Sequence, residues 1–267
     1  MTKITSGELE MLRQENVALK LQLAAIQAEL ESFTYTVSHD LRASLRHITA
    51  FTQIIKEDWA DGLSSGQPPD LTSPVNTISM AARQMSLMID GLMELSRLGR
   101  VALKPMPLDV ATLVDEVRDS LIGELGAEQG GRAIQWQIAL DAAPDFAPLV
   151  GDATLVRQVL RQVLSNAIKF TRHLPLAHID IGWRPASDGQ IEMLIKDNGV
   201  GFNPQFQGKL FGVFQRLHSA SQFDGIGIGM GLALSRRIME RHGGRIEATA
   251  KPGEGCEVRL IWPAREM

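Results

Sequence analysis

The stretch Phe33-Thr-Tyr-Thr-Val-Ser-His39-Asp40-Leu-Arg-Ala-Ser-Leu-Arg46 lies inside a long helical pattern. Val37, Leu41, Leu45 and Ile48 recur at three- and four-residue steps and predict one apolar stripe. His39 falls two residues after Val37, so it points away from that stripe. Asp40 follows it directly, and Arg42 and Arg46 add positive charge nearby. An imidazole on the outside of a helix, next to a carboxylate, can act as a nucleophile. The carboxylate holds one ring nitrogen protonated and leaves the other free to attack. A surface His-Asp pair alone is more often a solvated helix face, so the rest of the chain has to decide.

Upstream, Leu9, Leu12, Asn16, Leu19, Leu23, Ile26, Leu30, Phe33 and Val37 alternate three- and four-residue steps. This is a heptad seam of about four repeats. The flanking positions are Glu, Gln, Lys and Ala, so the seam is narrow and suits burial against a second copy of itself. Asn16 takes an a position, where a polar side chain commonly sets register and dimer state. The added four-residue step after Val37 is a stutter, which locally unwinds a supercoil. Downstream, the helix is expected to end near Trp59. Asp61 to Asp70 is rich in Gly, Ser and Pro and reads as a loop. Ser73-Pro74 marks a second helix start, with Ile78, Ala81, Met85, Met88, Leu92, Leu95 and Leu98 as its stripe. Two such hairpins would make a four-helix bundle.

Beyond a linker at Gly99 to Pro107 the pattern mixes helices and strands. Helices are expected over 110–125, 152–170 and 230–242. Strands are expected over 133–140, 177–183, 191–196, 245–250 and 256–262, with Ser187-Asp188-Gly189 as a turn. Helices packed on a mainly antiparallel or mixed sheet give a two-layer α+β domain. The 267 residues have room for two modest domains. A net charge of −4 argues against an electrostatic grip on nucleic acid or anionic lipid. The single Cys256 excludes an internal disulfide and fits a reducing compartment. No apolar run reaches membrane-spanning length, and the N-terminus lacks a signal-peptide core, so the expectation is a cytoplasmic chain without membrane insertion.

Three motifs carry nucleotide chemistry. In Arg161-Gln-Val-Leu-Ser-Asn166-Ala-Ile-Lys169-Phe170, a helix puts Gln162, Asn166 and Lys169 on one face. An amide oxygen can ligate Mg2+ and an ammonium can meet a phosphate. Lys196-Asp197-Asn-Gly199-Val-Gly201-Phe202 sits at a strand end, with a carboxylate able to accept from an exocyclic amine. Gly225-Ile-Gly227-Ile-Gly229-Met-Gly231-Leu232 opens into a helix, whose first amides favour phosphate.

Taken with the His39 box, these motifs resemble the sensor histidine kinases, above all the phytochrome-like group. The C-terminal half resembles the ATP-binding domain that those kinases share with gyrase B, heat-shock chaperone ATPases and mismatch-repair MutL. The resemblance covers nearly all of the chain from Phe33 to Pro263. It implies that His39 is the phosphoacceptor with Asp40 beside it, that Asn166 ligates magnesium, that Lys169 touches phosphate, and that Asp197 reads adenine. Gly199 and Gly201 would shape the base pocket, Gly229 and Gly231 would line the phosphates, and Gly227 and Leu232 would also belong to the cofactor site. Phe214, in Lys209-Leu-Phe211-Gly-Val-Phe214, looks like the family's phenylalanine motif and would belong to a lid from about Asn203 to Ile228. The implied cofactors are ATP and Mg2+. The implied partners are a second copy of the chain, a response regulator receiver domain, and a separate sensor protein feeding the coiled coil.

The chain departs from the pattern at several places. Gln162 stands where the kinases have Asn and the related ATPases have a catalytic Glu, which disfavours a gyrase-like ATPase. Gly225-Ile226 lengthens the third motif. Glu257 stands where a hydroxyl residue is usual, and Ser44 where Pro is common. Ala43 takes the place, one turn after the histidine, where many relatives carry the Thr or Asn that orients water for regulator dephosphorylation. The expected organisation is a coiled coil over 1–32, a dimerisation and phosphoacceptor hairpin over 33–99, a linker over 100–107, and the ATP-binding domain over 108–267. A non-catalytic phosphotransfer scaffold is the alternative.

Overall fold

A computed structural model describes residues 6–65, 70–125, 132–140, 149–185, 190–217 and 228–263. His218, Gly225-Ile226, Gly227 and the rest of the 218–227 part of the expected lid, and the Ser187-Asp188-Gly189 turn, lie outside the described residues. The chain divides into two compact units, Met1–Leu87 and Met88–Met267.

The first unit is built from helix α1 (Ser6–Ser65) and the beginning of α2 (Thr72–Leu98). α1 passes Ser44 without a break and does not stop near Trp59; it runs on through Asp61 and Gly62 to Ser65. A single Gly costs a helix only about 1 kcal/mol relative to Ala, less than is needed to end a long hydrogen-bond ladder. The strong breakers of that stretch, Pro68 and Pro69, come later. α2 starts at Thr72, a residue earlier than the sequence signal, because the Asp70 carboxylate accepts the Thr72 amide at 3.0 Å. Leu45, on the expected apolar stripe, is 53% exposed within a single chain.

The second unit carries two sheets. β1 (Met106–Pro107) pairs antiparallel with β3 (Val150–Gly151). The linker therefore ends in a strand that sequence reading does not find, since two residues show no alternation. The main sheet has the order β2-β4-β5-β7-β6. Its strands are β2 (Ala133–Ala139), β4 (Leu176–Pro185), β5 (Ile191–Asp197), β6 (Arg245–Lys251) and β7 (Gly255–Trp262). β2 and β4 are parallel and the other pairs antiparallel, so the sheet is mixed.

Helices α3 (Val110–Leu125), α4 (Ala153–Phe170) and α5 (Gly231–Arg241) supply the second layer. α4 buries Val156, Val159, Leu160, Val163, Leu164, Ala167 and Ile168, a stripe at helical spacing. The sheet offers Ile179, Ile181, Met193, Ile195 and Leu260, all 2% exposed or less. Each such side chain contributes roughly 1.5–3 kcal/mol on burial. Buried Glu192 is compensated by Arg184 at 2.9 Å and Arg259 at 3.5 Å.

Asp152 caps α4, and this fixes where the Asn166 face points. One carboxylate oxygen accepts from Thr154 and Leu155, and the other accepts from the Lys104 amide in the linker. The Asp152 amide donates to Nε2 of His242, at 2.9 Å, whose Nδ1 is 2.7 Å from the Ile238 carbonyl. Asp152→Ala is expected to lower stability by about 1–2 kcal/mol, from loss of the cap. Urea unfolding measures it; an unchanged midpoint would refute the cap's role.

Candidate functional site

α4 forms one wall. Gln162, Asn166 and Lys169 lie on its half-buried face, and the Gln162 amide donates to the Asn166 Oδ1 at 3.4 Å. Burial lowers the pKa of the Lys169 ammonium, which sits 5.0 Å from the centre of the Phe170 ring. A cation held in a half-dry place waits for an anionic partner more favourably than one in bulk water. At the end of α4 the Phe170 carbonyl accepts from the Val200 amide at 3.1 Å, which ties the first motif to the second. Arg132 braces the same end through the Ile168 carbonyl and the Thr171 hydroxyl.

β5 delivers Asp197, 8% exposed, to the floor. Its Oδ1 accepts from the Gly199 amide at 2.8 Å and the Cys256 amide at 3.3 Å. Burial pushes the carboxyl up to about 6, and the two amides pull against that rise. The Cys256 thiol beside it is raised to about 12 by burial and by the Asp197 and Glu257 charges, so it stays neutral. Gly201 has a φ of +58°, and a Cβ there would overlap the Lys251 carbonyl. The tight left-handed turn requires glycine.

The third motif joins through backbone contacts. Gly229 lies beside Phe214 and Gln215; Phe214 is buried with a φ of 59°. α5 begins at Gly231, with Leu232 in its first turn, and its N-terminus has no side-chain cap. A Cβ at Gly231 would overlap the Gln162 carboxamide, so the glycine lets α4 approach the start of α5. The structure thus brings Asn166, Gly199, Asp197, Phe214, Gly229 and Gly231 around one surface. Free amides at a helix start, a buried carboxylate and an ammonium match the phosphate and base ends of a nucleotide.

Among the described residues, no three His, Cys, Asp or Glu side chains gather into a metal cage. Magnesium does not demand one: it commonly takes one or two protein oxygens and completes its shell with phosphate and water. The Asn166 amide oxygen fits that role. The parts missed by sequence reading are the Cys256 amide, the Phe170 carbonyl, Arg132 and the Gln162–Gly231 contact. Backbone groups have no side-chain signature.

In the first unit, Nδ1 of His39 lies 3.0 Å from Asp40 Oδ1. A carboxylate only accepts, so Nδ1 carries a proton, and in the neutral ring Nε2 keeps its lone pair. The imidazole side chain is 57% exposed.

Residues 151–266 match the family model described as histidine kinase-, DNA gyrase B-, and HSP90-like ATPase. Fold and site together define the C-terminal part as an ATP-binding domain of that class. Over 242 residues the chain is 32% identical to the methanogenesis regulatory histidine kinase FilI of Methanothrix harundinacea, covering 91% of this chain and 25% of that one. It is 30% identical over 246 residues to cyanobacterial phytochrome B of Nostoc, covering 90% and 30%. The solved structure of histidine kinase ThkA in complex with response regulator protein TrrA superposes with a TM-score of 0.58 at 18% identity, covering 99% of this chain and 68% of that one. Residues 151–266 thus belong to that ATPase family, and the chain as a whole is homologous to sensor histidine kinases. It spans about a quarter to a third of the length of these curated relatives. No described helix is long and apolar enough to cross a membrane.

Proposed function

We propose that the chain is the kinase core of a two-component system. ATP binds in the second unit, with Asn166 holding Mg2+, Lys169 meeting phosphate and Asp197 reading adenine. Magnesium, when bound, neutralises charge developing between the β- and γ-phosphates. The Nε2 lone pair of His39 attacks the γ-phosphorus in line. The N–P bond forms as the bond to the ADP oxygen breaks, while Asp40 holds Nδ1–H. The phosphoryl group then passes to an aspartate of a response regulator. The ThkA structure, a family member with its regulator, supports that class of partner.

The observation that carries the reading is Asp197: a buried carboxylate, fixed by the Gly199 and Cys256 amides, at the centre of the three motifs. A scaffold that no longer bound ATP would have no use for it. Incubation with labelled ATP and Mg2+, followed by acid and base treatment, tests the reading. An acid-labile, base-stable label is expected; no label would leave the scaffold reading standing.

The same reading makes the chain a parallel homodimer through Leu9 to Val37, in the cytoplasm, with input from a separate sensor. Exposure of Leu19 at 56% and Leu45 at 53% in a single chain supports a second copy. The expected domains, 1–32, 33–99, 100–107 and 108–267, are part of it. Ala43 has no donor or acceptor with which to orient water. Regulator dephosphorylation is therefore expected to be weak and to depend on ADP and His39 through reverse transfer. Fast release of inorganic phosphate by the His39→Gln protein would refute this; a gain of release in Ala43→Thr would support it.

A further inference from the structure

Tyr35, the single tyrosine of the chain, sits where the seam does not need it. Phe33 and Val37 are the flanking seam residues, which puts Tyr35 at the outermost position of its heptad. It is 75% exposed, so it buries little within the chain. It is, however, one helical turn before His39, and the two rings are stacked, with centroids 6.2 Å apart and planes at 20°. Asp40 meets the same imidazole at Nδ1, 3.0 Å away. Asp40 engages one edge of the imidazole, the tyrosine ring lies nearly parallel alongside it, and Nε2 remains open.

We infer that Tyr35 is a positioning residue for phosphoryl transfer at His39. The inference rests on the reading of His39 as nucleophile. A free imidazole turns about its Cβ–Cγ bond, which would swing Nε2 away and break the Asp40 contact. The stacked phenol opposes that rotation. As the N–P bond forms, positive charge grows on the imidazole, and the electron-rich face of the tyrosine attracts it. The hydroxyl takes no part, so phenylalanine can replace tyrosine, whereas leucine is apolar but has no π face.

The test uses the full chain with Tyr35→Phe and Tyr35→Leu. Tyr35→Phe is expected to autophosphorylate at the wild-type rate. Tyr35→Leu is expected to lose about three-fold in kcat with KM for ATP unchanged, the size of an exposed cation–π contact. Nitrogen-15 spectra of the His39 ring should show a smaller Nδ1–H population in Tyr35→Leu and an unchanged one in Tyr35→Phe. Wild-type kcat and unchanged ring spectra in Tyr35→Leu would overturn the inference. So would an equal loss in Tyr35→Phe. If the wild-type chain takes no label, the nucleophile reading fails by itself. The ring spectra then decide alone whether Tyr35 orients the imidazole.

Discussion

His39→Gln is expected to abolish the acid-labile, base-stable phosphoryl label, while affinity for ATP should stay within about twofold of wild type. The loss is complete because no other group replaces the attacking atom. Glutamine preserves helix length and polarity but has no nucleophilic nitrogen lone pair, since its amide nitrogen is delocalised. The chain's other histidines do not take over. His242 has both ring nitrogens engaged, with the Asp152 amide and the Ile238 carbonyl. His47 and His173 lack an adjacent carboxylate of the Asp40 kind. ATP binding should survive because the groups assigned to the nucleotide all lie in the second unit. Phosphoamino-acid stability tests and calorimetry measure the two halves. Persistent labelling in the variant would remove His39 from the mechanism.

The second large effect is expected at Asp197. Asp197→Asn should cost about tenfold or more in ATP affinity and reduce autophosphorylation to match. Losing a buried hydrogen bond to a charged group is worth roughly 1.5–3 kcal/mol, and 1.4 kcal/mol is tenfold. The pH dependence separates this from a general loss of fold. With its carboxyl raised to about 6, mainly by burial, wild-type Asp197 loses its charge as pH falls through 6. ATP affinity should fall with it between pH 7 and 5, and the fall should be absent in Asp197→Asn. Stability runs the other way. A folded-state value above the ordinary 3.8 means the folded chain holds the proton more tightly than the unfolded one. Stability therefore falls as pH rises from about 4 to 6, by on the order of 3 kcal/mol. Asp197→Asn should remove that slope. The wild-type site thus gives up stability to keep an ionised acceptor in a dry place. Equal ATP affinity for wild type and Asp197→Asn at pH 7 would count against the adenine assignment.

The sequence by itself determined what local forces decide. α4 was legible from end to end because its stripe repeats at helical spacing and Asp152 caps the residues next to it. α3 matched for the same reason, and the strands matched to within a residue or two. The His39–Asp40 pair was legible because sequence neighbours in a helix can meet without help from the rest of the fold. The end of α1 was misread. Gly62 weighs heavily in a count of breakers, yet it costs a continuing helix little.

Tertiary structure alone decided the rest. The bridge between β1 and β3 pairs segments too short to show a period. The parallel pairing of β2 with β4 inside an otherwise antiparallel sheet follows from chain routing, which residue patterns do not encode. At Asp197, the sequence offered a carboxylate at a strand end. What makes it a poised acceptor is an amide 59 residues away, at Cys256, together with the burial supplied by the layers around it. Likewise, Gly231 read as a phosphate-loop glycine, while its contact with the Gln162 carboxamide depends on how α4 and α5 pack. Periodicity and capping act over one helical turn and leave a trace in residue order. Backbone donors and desolvation act across the fold and leave none.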